Sequence, residues 1–144
     1  MNFKAFCVAL LCALVFLVAP KASAQDLMSH APNEAQAYII EPADGAILPE
    51  TFTVKFGLSG MDLAPAGVMQ ENAGHHHLLI DRPEFDLATS LPSTEQIRHF
   101  GKAQTETQLT LTPGKHTLQL VLGNYAHVPH DNPVISEPIQ VIVE

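Results

Sequence analysis

Thr51-Phe52-Thr53-Val54-Lys55-Phe56-Gly57-Leu58 decides the fold class. Phe52, Val54, Phe56 and Leu58 alternate with smaller or polar residues at strict period two, the pattern of a strand with one buried face. The same alternation returns at Leu118, Leu120 and Leu122, at Leu109 and Leu111, and at Ile139, Val141 and Val143. Tyr38–Ile40 and His77–Asp81 complete a set of about six strands, and a further short strand is expected near Phe100. Prolines and glycines punctuate the chain, and no window sustains helical periodicity. Short strands joined by Pro/Gly turns predict an all-β fold, an immunoglobulin-like β-sandwich of six or seven strands.

The beginning of the chain reads differently. Lys4 precedes an uncharged apolar run from Ala5 to Ala19, followed by Ala22-Ser23-Ala24, the small-x-small pattern that signal peptidase reads. Residues 1–24 are therefore expected to be a cleaved signal peptide, 25–36 a flexible polar arm, and 37–144 a single sandwich domain. A periplasmic or secreted location follows. The apolar run is shorter than the roughly 20 residues a spanning helix needs, and no later segment approaches it, so no transmembrane segment is expected in the mature chain. Loss of Lys4 and Lys21 with the leader moves the net charge from −8 to −10. That excess of negative charge argues against nucleic acid as a partner.

Cys7 and Cys12, the two cysteines, both fall inside the leader, so the mature chain is expected to have no disulfide, thiolate ligand or cysteine nucleophile. All eight histidines lie beyond it. Five occur in two clusters, His75-His76-His77 and His127-Val128-Pro129-His130. On a strand, His75 and His77 project to one face with Cα atoms about 6.6 Å apart, close enough to share one ion. His76 joins Leu78 and Ile80 on the other face, where a hydrogen-bonded residue at the core edge is expected.

Topology brings the clusters together. In immunoglobulin order Thr51–Leu58 is strand B, His75–Asp81 strand C, Lys115–Leu122 strand F and Pro138–Val143 strand G. C and F are antiparallel neighbours, so the start of C lies beside the end of F. His75, His77, His127 and His130 are the candidate metal ligands, with Met69 and Asp131 as possible additions. Neutral imidazole suits copper and zinc ions, and a thioether suits reduced copper. The plainer reading is that these side chains bond to loop carbonyls and to Asp81 or Asp131, tying two loops together. His116, at the far end of strand F, is expected to be a satisfied histidine at the core rim. His99 reads more readily as structural than as a ligand.

No G-x-S-x-G elbow, H-E-x-x-H or phosphate-cradling glycine loop is present. The residues point to a non-catalytic metal carrier, buffer or accessory, with copper the first choice. One alternative is a cell-envelope interaction module, docking to a protein or polysaccharide, with structural histidines. A weaker one is a metal-dependent enzyme. Partners, beyond the metal ion, would be periplasmic proteins.

GHHHLLID (Gly74–Asp81), HFGKAQTE (His99–Glu106), PGKHTLQLVL (Pro113–Leu122) and HVPH (His127–His130) resemble the motifs of domain-of-unknown-function family 4399, a group of bacterial exported proteins. With Glu41–Ala46 (EPADGA), the resemblance covers most of Tyr38–Val143. It implies a periplasmic or secreted single domain in which the histidine motifs are family features. EPADGA is also similar to the first strand of small periplasmic copper-resistance β-sandwiches, a likeness at the level of fold.

Mass spectrometry of exported protein is expected to find Gln25 at the N-terminus. An intact leader, or a lipid on Cys12, would contradict the reading of residues 1–24.

Overall fold

The computed structural model describes residues 27–144, so the leader and its cleavage site lie outside the described residues. Two sheets face each other. The first contains β1 (Gln36–Glu41), β3 (Thr51–Ser59) and β7 (Glu106–Thr110), in the order β1-β3-β7 with both pairs antiparallel. The second runs β2 (Ala46–Leu48), β9 (Ile139–Val143), β8 (Gly114–Gly123), β5 (Ala73–Ile80). Two short strands, β4 (Asp62–Leu63) and β6 (Ile97–His99), both pair with the free side of β5. The protein is an all-β, immunoglobulin-like sandwich, as the alternating patterns require. β6 is the short strand expected near Phe100. β2 and β4 are too short to leave a periodic signal. Through β2, which pairs in parallel with β9, the last strand becomes internal to its sheet rather than an edge.

Alternation decides what each sheet buries. Phe52, Val54 and Phe56 of β3 meet Leu118, Leu120 and Leu122 of β8, Leu78 and Ile80 of β5, and Val141 and Val143 of β9 in the main core. The connection from Arg82 to Gln96 adds a second cluster on the outer face of the second sheet. There Leu91 packs with Leu79, Ile97 and Val121, flanked by Phe85 and Ile135. Both faces of β5 are consequently covered, and every one of its eight residues is buried.

Burial on both faces matters for the three consecutive histidines. His76 enters the main core, its ring edge-on to Phe56 with centroids 4.9 Å apart. The face is the expected one, but the expected hydrogen bond is missing: neither ring nitrogen has a partner among the described residues. The site lies deeper than a core edge, surrounded by apolar side chains with nothing to donate or accept. Burial pushes the His76 pKa down to about 4, so the ring stays neutral near pH 7. His116 behaves as expected, with Nδ1 2.9 Å from Asp81 Oδ2 and Nε2 2.8 Å from the Thr112 carbonyl oxygen.

Leu27–Ala31 is held against the domain. The Ala31 amide donates to Asp131 Oδ1 at 3.3 Å, and the Asp131 amide donates to the Ser29 carbonyl at 3.0 Å. Ala31 itself is fully buried in the main core.

An unpartnered polar ring in an apolar core lowers stability by about 1–3 kcal/mol. His76→Leu is therefore expected to raise stability by about that amount in chemical denaturation near neutral pH. A loss of stability instead would mean that the imidazole has a partner in solution.

Candidate metal centre

The antiparallel pairing of β5 with β8 sets the site. Its register places His75 opposite Gly123 and His77 opposite Val121, so the start of β5 adjoins the end of β8, as the C–F argument requires. His75 and His77 share the outer face of the second sheet with Leu79. On the other side of β5, His77 pairs with His99 at the end of β6. The Asn124–Val128 turn leaves the end of β8 and returns His127 over the same face. His127 has φ +63°, an uncommon conformation for a residue with a side chain, and one that bends the loop back on itself.

Four imidazoles meet here. His75, His77, His99 and His127 each present a ring nitrogen, and these four atoms lie within 4.8 Å of one another. Every pair of rings is in contact range, from 4.4 Å between the His99 and His127 centroids to 5.8 Å between those of His77 and His127. An ion about 2.0–2.1 Å from each nitrogen needs opposed nitrogens no more than about 4.1 Å apart. Four nitrogens this close together could hold one ion if the rings draw in. Among the described residues no carboxylate joins the group, so the donor set is four imidazole nitrogens.

The electrostatics favour lone pairs over protons. Burial, then repulsion from His99 and His127, lowers the His75 pKa to about 3. Burial, then repulsion from His75, His99 and His127, lowers that of His77 to about 2. His99 is lowered by burial and by His127. His75 Nε2 lies 3.1 Å from His127 Nδ1, a distance for one shared proton. His75 Nδ1, both nitrogens of His77 and His99 Nε2 are buried without partners among the described residues. Buried polar atoms normally find partners, so this concentration of orphans in one pocket needs a reason.

Glycines make the room. A Cβ on Gly123 would stand 2.7 Å from His77 Cε1 and 3.3 Å from His127 Cα, and one on Gly101 would stand 2.5 Å from His99 Cε1. Neither position admits a side chain without displacing a histidine.

Of the residues singled out in the sequence, His75, His77 and His127 are brought together. His130 is not: it is buried against the backbone of Ala73 and Leu122, outside the group of four. Asp131 points elsewhere, 3.1 Å from His30 Nδ1, which holds its carboxyl below the usual range. Met69 is 75% exposed in the loop before β5. His99 takes the fourth place. It lies in a stretch broken by prolines, where only the short strand near Phe100, laid beside β5, could have shown which histidine it opposes.

The motifs now have a frame. A family model described as Domain of unknown function (DUF4399) matches residues 54–144. The chain belongs to this family. Its matched region includes the four histidines and both glycines of the centre. No curated protein matches in sequence. Among solved structures, fibronectin(III)-like modules of Clostridium thermocellum CbhA are similar at 13% identity, covering 75% of this chain and 93% of that chain with a TM-score of 0.37.

The lowered pKa values make the metal-free DUF4399 protein acid-sensitive in a defined direction. Unfolded histidines titrate near 6.5, whereas folded His76 and His77 bind protons only near 4 and 2. Below about pH 6.5 the unfolded state takes up protons that the folded state refuses, so this stability is present above that pH and lost as pH falls. Each such histidine contributes a slope of about 1.4 kcal/mol per pH unit. Urea unfolding of metal-free protein between about pH 7 and pH 5 is expected to show at least two histidines' worth of slope. A flat profile would contradict the buried neutral state of these rings.

Proposed function

We propose that this DUF4399 protein binds a transition metal ion through His75, His77, His99 and His127, and that it serves as an exported, non-catalytic carrier, buffer or accessory. One observation carries the reading: four ring nitrogens lie within 4.8 Å of one another, two of the rings are fully buried, and His75 Nδ1, both nitrogens of His77 and His99 Nε2 have no hydrogen-bond partner among the described residues. Loop ties would require the opposite, imidazoles bonded to carbonyls and carboxylates as His116 is. A metal ion would give one nitrogen of each of the four rings a partner.

Copper is the metal we favour. Divalent ions on nitrogen donors follow an affinity order that peaks at copper(II), with zinc below it. The non-catalytic role rests on the coordination number. Four protein ligands fill a four-coordinate sphere, whereas catalytic sites of this kind hold three and leave a position for water or substrate. The export pattern at Lys4–Ala24 supports a periplasmic or secreted setting.

A second reading retains one specific observation. The 3.1 Å contact between His75 and His127 joins β5 to the loop after β8 without any ion, as a structural tie in an envelope interaction module would.

Metal analysis of protein purified without an affinity tag, followed by thermal melts with added Cu(II) or Zn(II), separates the two. Binding to the native state alone raises stability by about 2.7 kcal/mol at a hundredfold excess over Kd. The gain is expected in the wild type, absent after His77→Ala with His99→Ala, and retained after His130→Ala, whatever that change costs the metal-free fold. A wild type that never responds to metal overturns the proposal.

A further inference from the structure

His127 is the one member of the histidine group carried by an irregular loop, and its backbone conformation is unfavourable for a residue with a Cβ. Something must hold it there. The loop's backbone closes on Asn124: the His127 amide donates to the Asn124 carbonyl at 2.9 Å, and the Asn124 amide donates to the Val128 carbonyl at 2.9 Å. The Asn124 side chain, 1% exposed, completes the clamp. Its Oδ1 accepts from the Ala126 amide at 2.9 Å and from the Val128 amide at 3.1 Å, the two residues flanking His127. Its Nδ2 donates to the Leu27 carbonyl at 2.7 Å and to Ser29 Oγ at 3.1 Å. One amide therefore uses its acceptor to shape the loop and both donors to anchor it to the N-terminal segment.

We infer that Asn124, through its Oδ1, is the positioning residue that holds His127 in the histidine group. This inference rests on the metal-binding reading for its function, but its geometric half does not. Aspartate at this position keeps an acceptor for Ala126 and Val128 and loses the donors. Alanine loses both.

Two measurements on the full chain test it. In metal-free protein, the nuclear Overhauser effect between the His75 and His127 ring protons reports whether His127 stays over the sheet. It is expected to vanish in Asn124→Ala while the His75–His77 effect remains, and to persist in Asn124→Asp. With Cu(II) as probe, Asn124→Ala is expected to bind roughly 10–100-fold more weakly than wild type, as loss of an orienting partner does at other metal sites. Its Cu(II) absorption spectrum should match that of His127→Ala. A merely structural Asn124 would lower the melting temperature but leave spectrum and affinity unchanged. Wild-type NOE and wild-type affinity in a folded Asn124→Ala overturn the inference while leaving the metal reading intact. Should Asn124→Ala not fold, loss of the NOE in Asn124→Asp overturns it equally. If wild type takes up no copper, the metal reading fails, and the NOE pair alone decides whether Asn124 positions His127.

Discussion

The register of one antiparallel pair governs this protein. Ala73–Ile80 lies against Gly114–Gly123 with Leu78 opposite Leu120 and His75 opposite Gly123. Side chains alternate across a strand, so a slip of one residue would send His75, His77 and Leu79 into the main core and turn His76, Leu78 and Ile80 outward. The apolar contacts of Leu78, Ile80, Leu118, Leu120 and Leu122 forbid that slip. Those same contacts deliver His75 and His77 to the outer face at the end where the chain leaves β8. Packing of the core and assembly of the histidine group are thus a single constraint.

Burying imidazoles has an energetic cost that the rest of the structure must offset. Each buried polar atom without a partner costs about 1–3 kcal/mol, and this domain holds several within one region. The connection after β5 supplies part of the compensation. Leu91 and Ile97 close over Leu79 and Val121, removing apolar surface from water beside the histidines. The Leu91 amide also donates to the His127 carbonyl at 2.8 Å, and Ser90 Oγ donates to the Ala126 carbonyl at 3.1 Å. A segment without regular structure over most of its length therefore covers the outer face of the sheet and braces the loop that carries the fourth imidazole. Burial on this face lowers the pKa values of His75, His77 and His99 and so favours their neutral form.

Short-range pattern was sufficient for the longer strands such as β3, which buries one face at period two. It was also sufficient for the division of His75-His76-His77, since neighbouring residues on a strand must face opposite ways. Combined with the C–F adjacency of an immunoglobulin-like sandwich, it brought His127 to His75, 52 positions away. It failed where position depends on loop conformation. His130 is three residues from His127, yet the tight turn at Asn124 and the bridge between Gly123 and Pro129 leave it buried against the backbone of Ala73 and Leu122 instead. His99 is held by three pairs of cross-strand residues in β6, too short a strand to stand out among the prolines around it.

The amino-acid sequence by itself determined the all-β class, the facing of the longer strands, the concentration of imidazole and the lack of cysteine beyond Cys12. These follow from local stereochemistry and composition, which need no partner to be expressed. Which four histidines meet was decided by the tertiary structure alone. Their meeting depends on β6 finding the free side of β5, on Asn124 folding the loop after β8, and on glycine at positions 101 and 123 leaving space for rings from distant parts of the chain. Each is a long-range contact, selected by packing and hydrogen-bond satisfaction across the whole domain, and no periodicity along the chain encodes it.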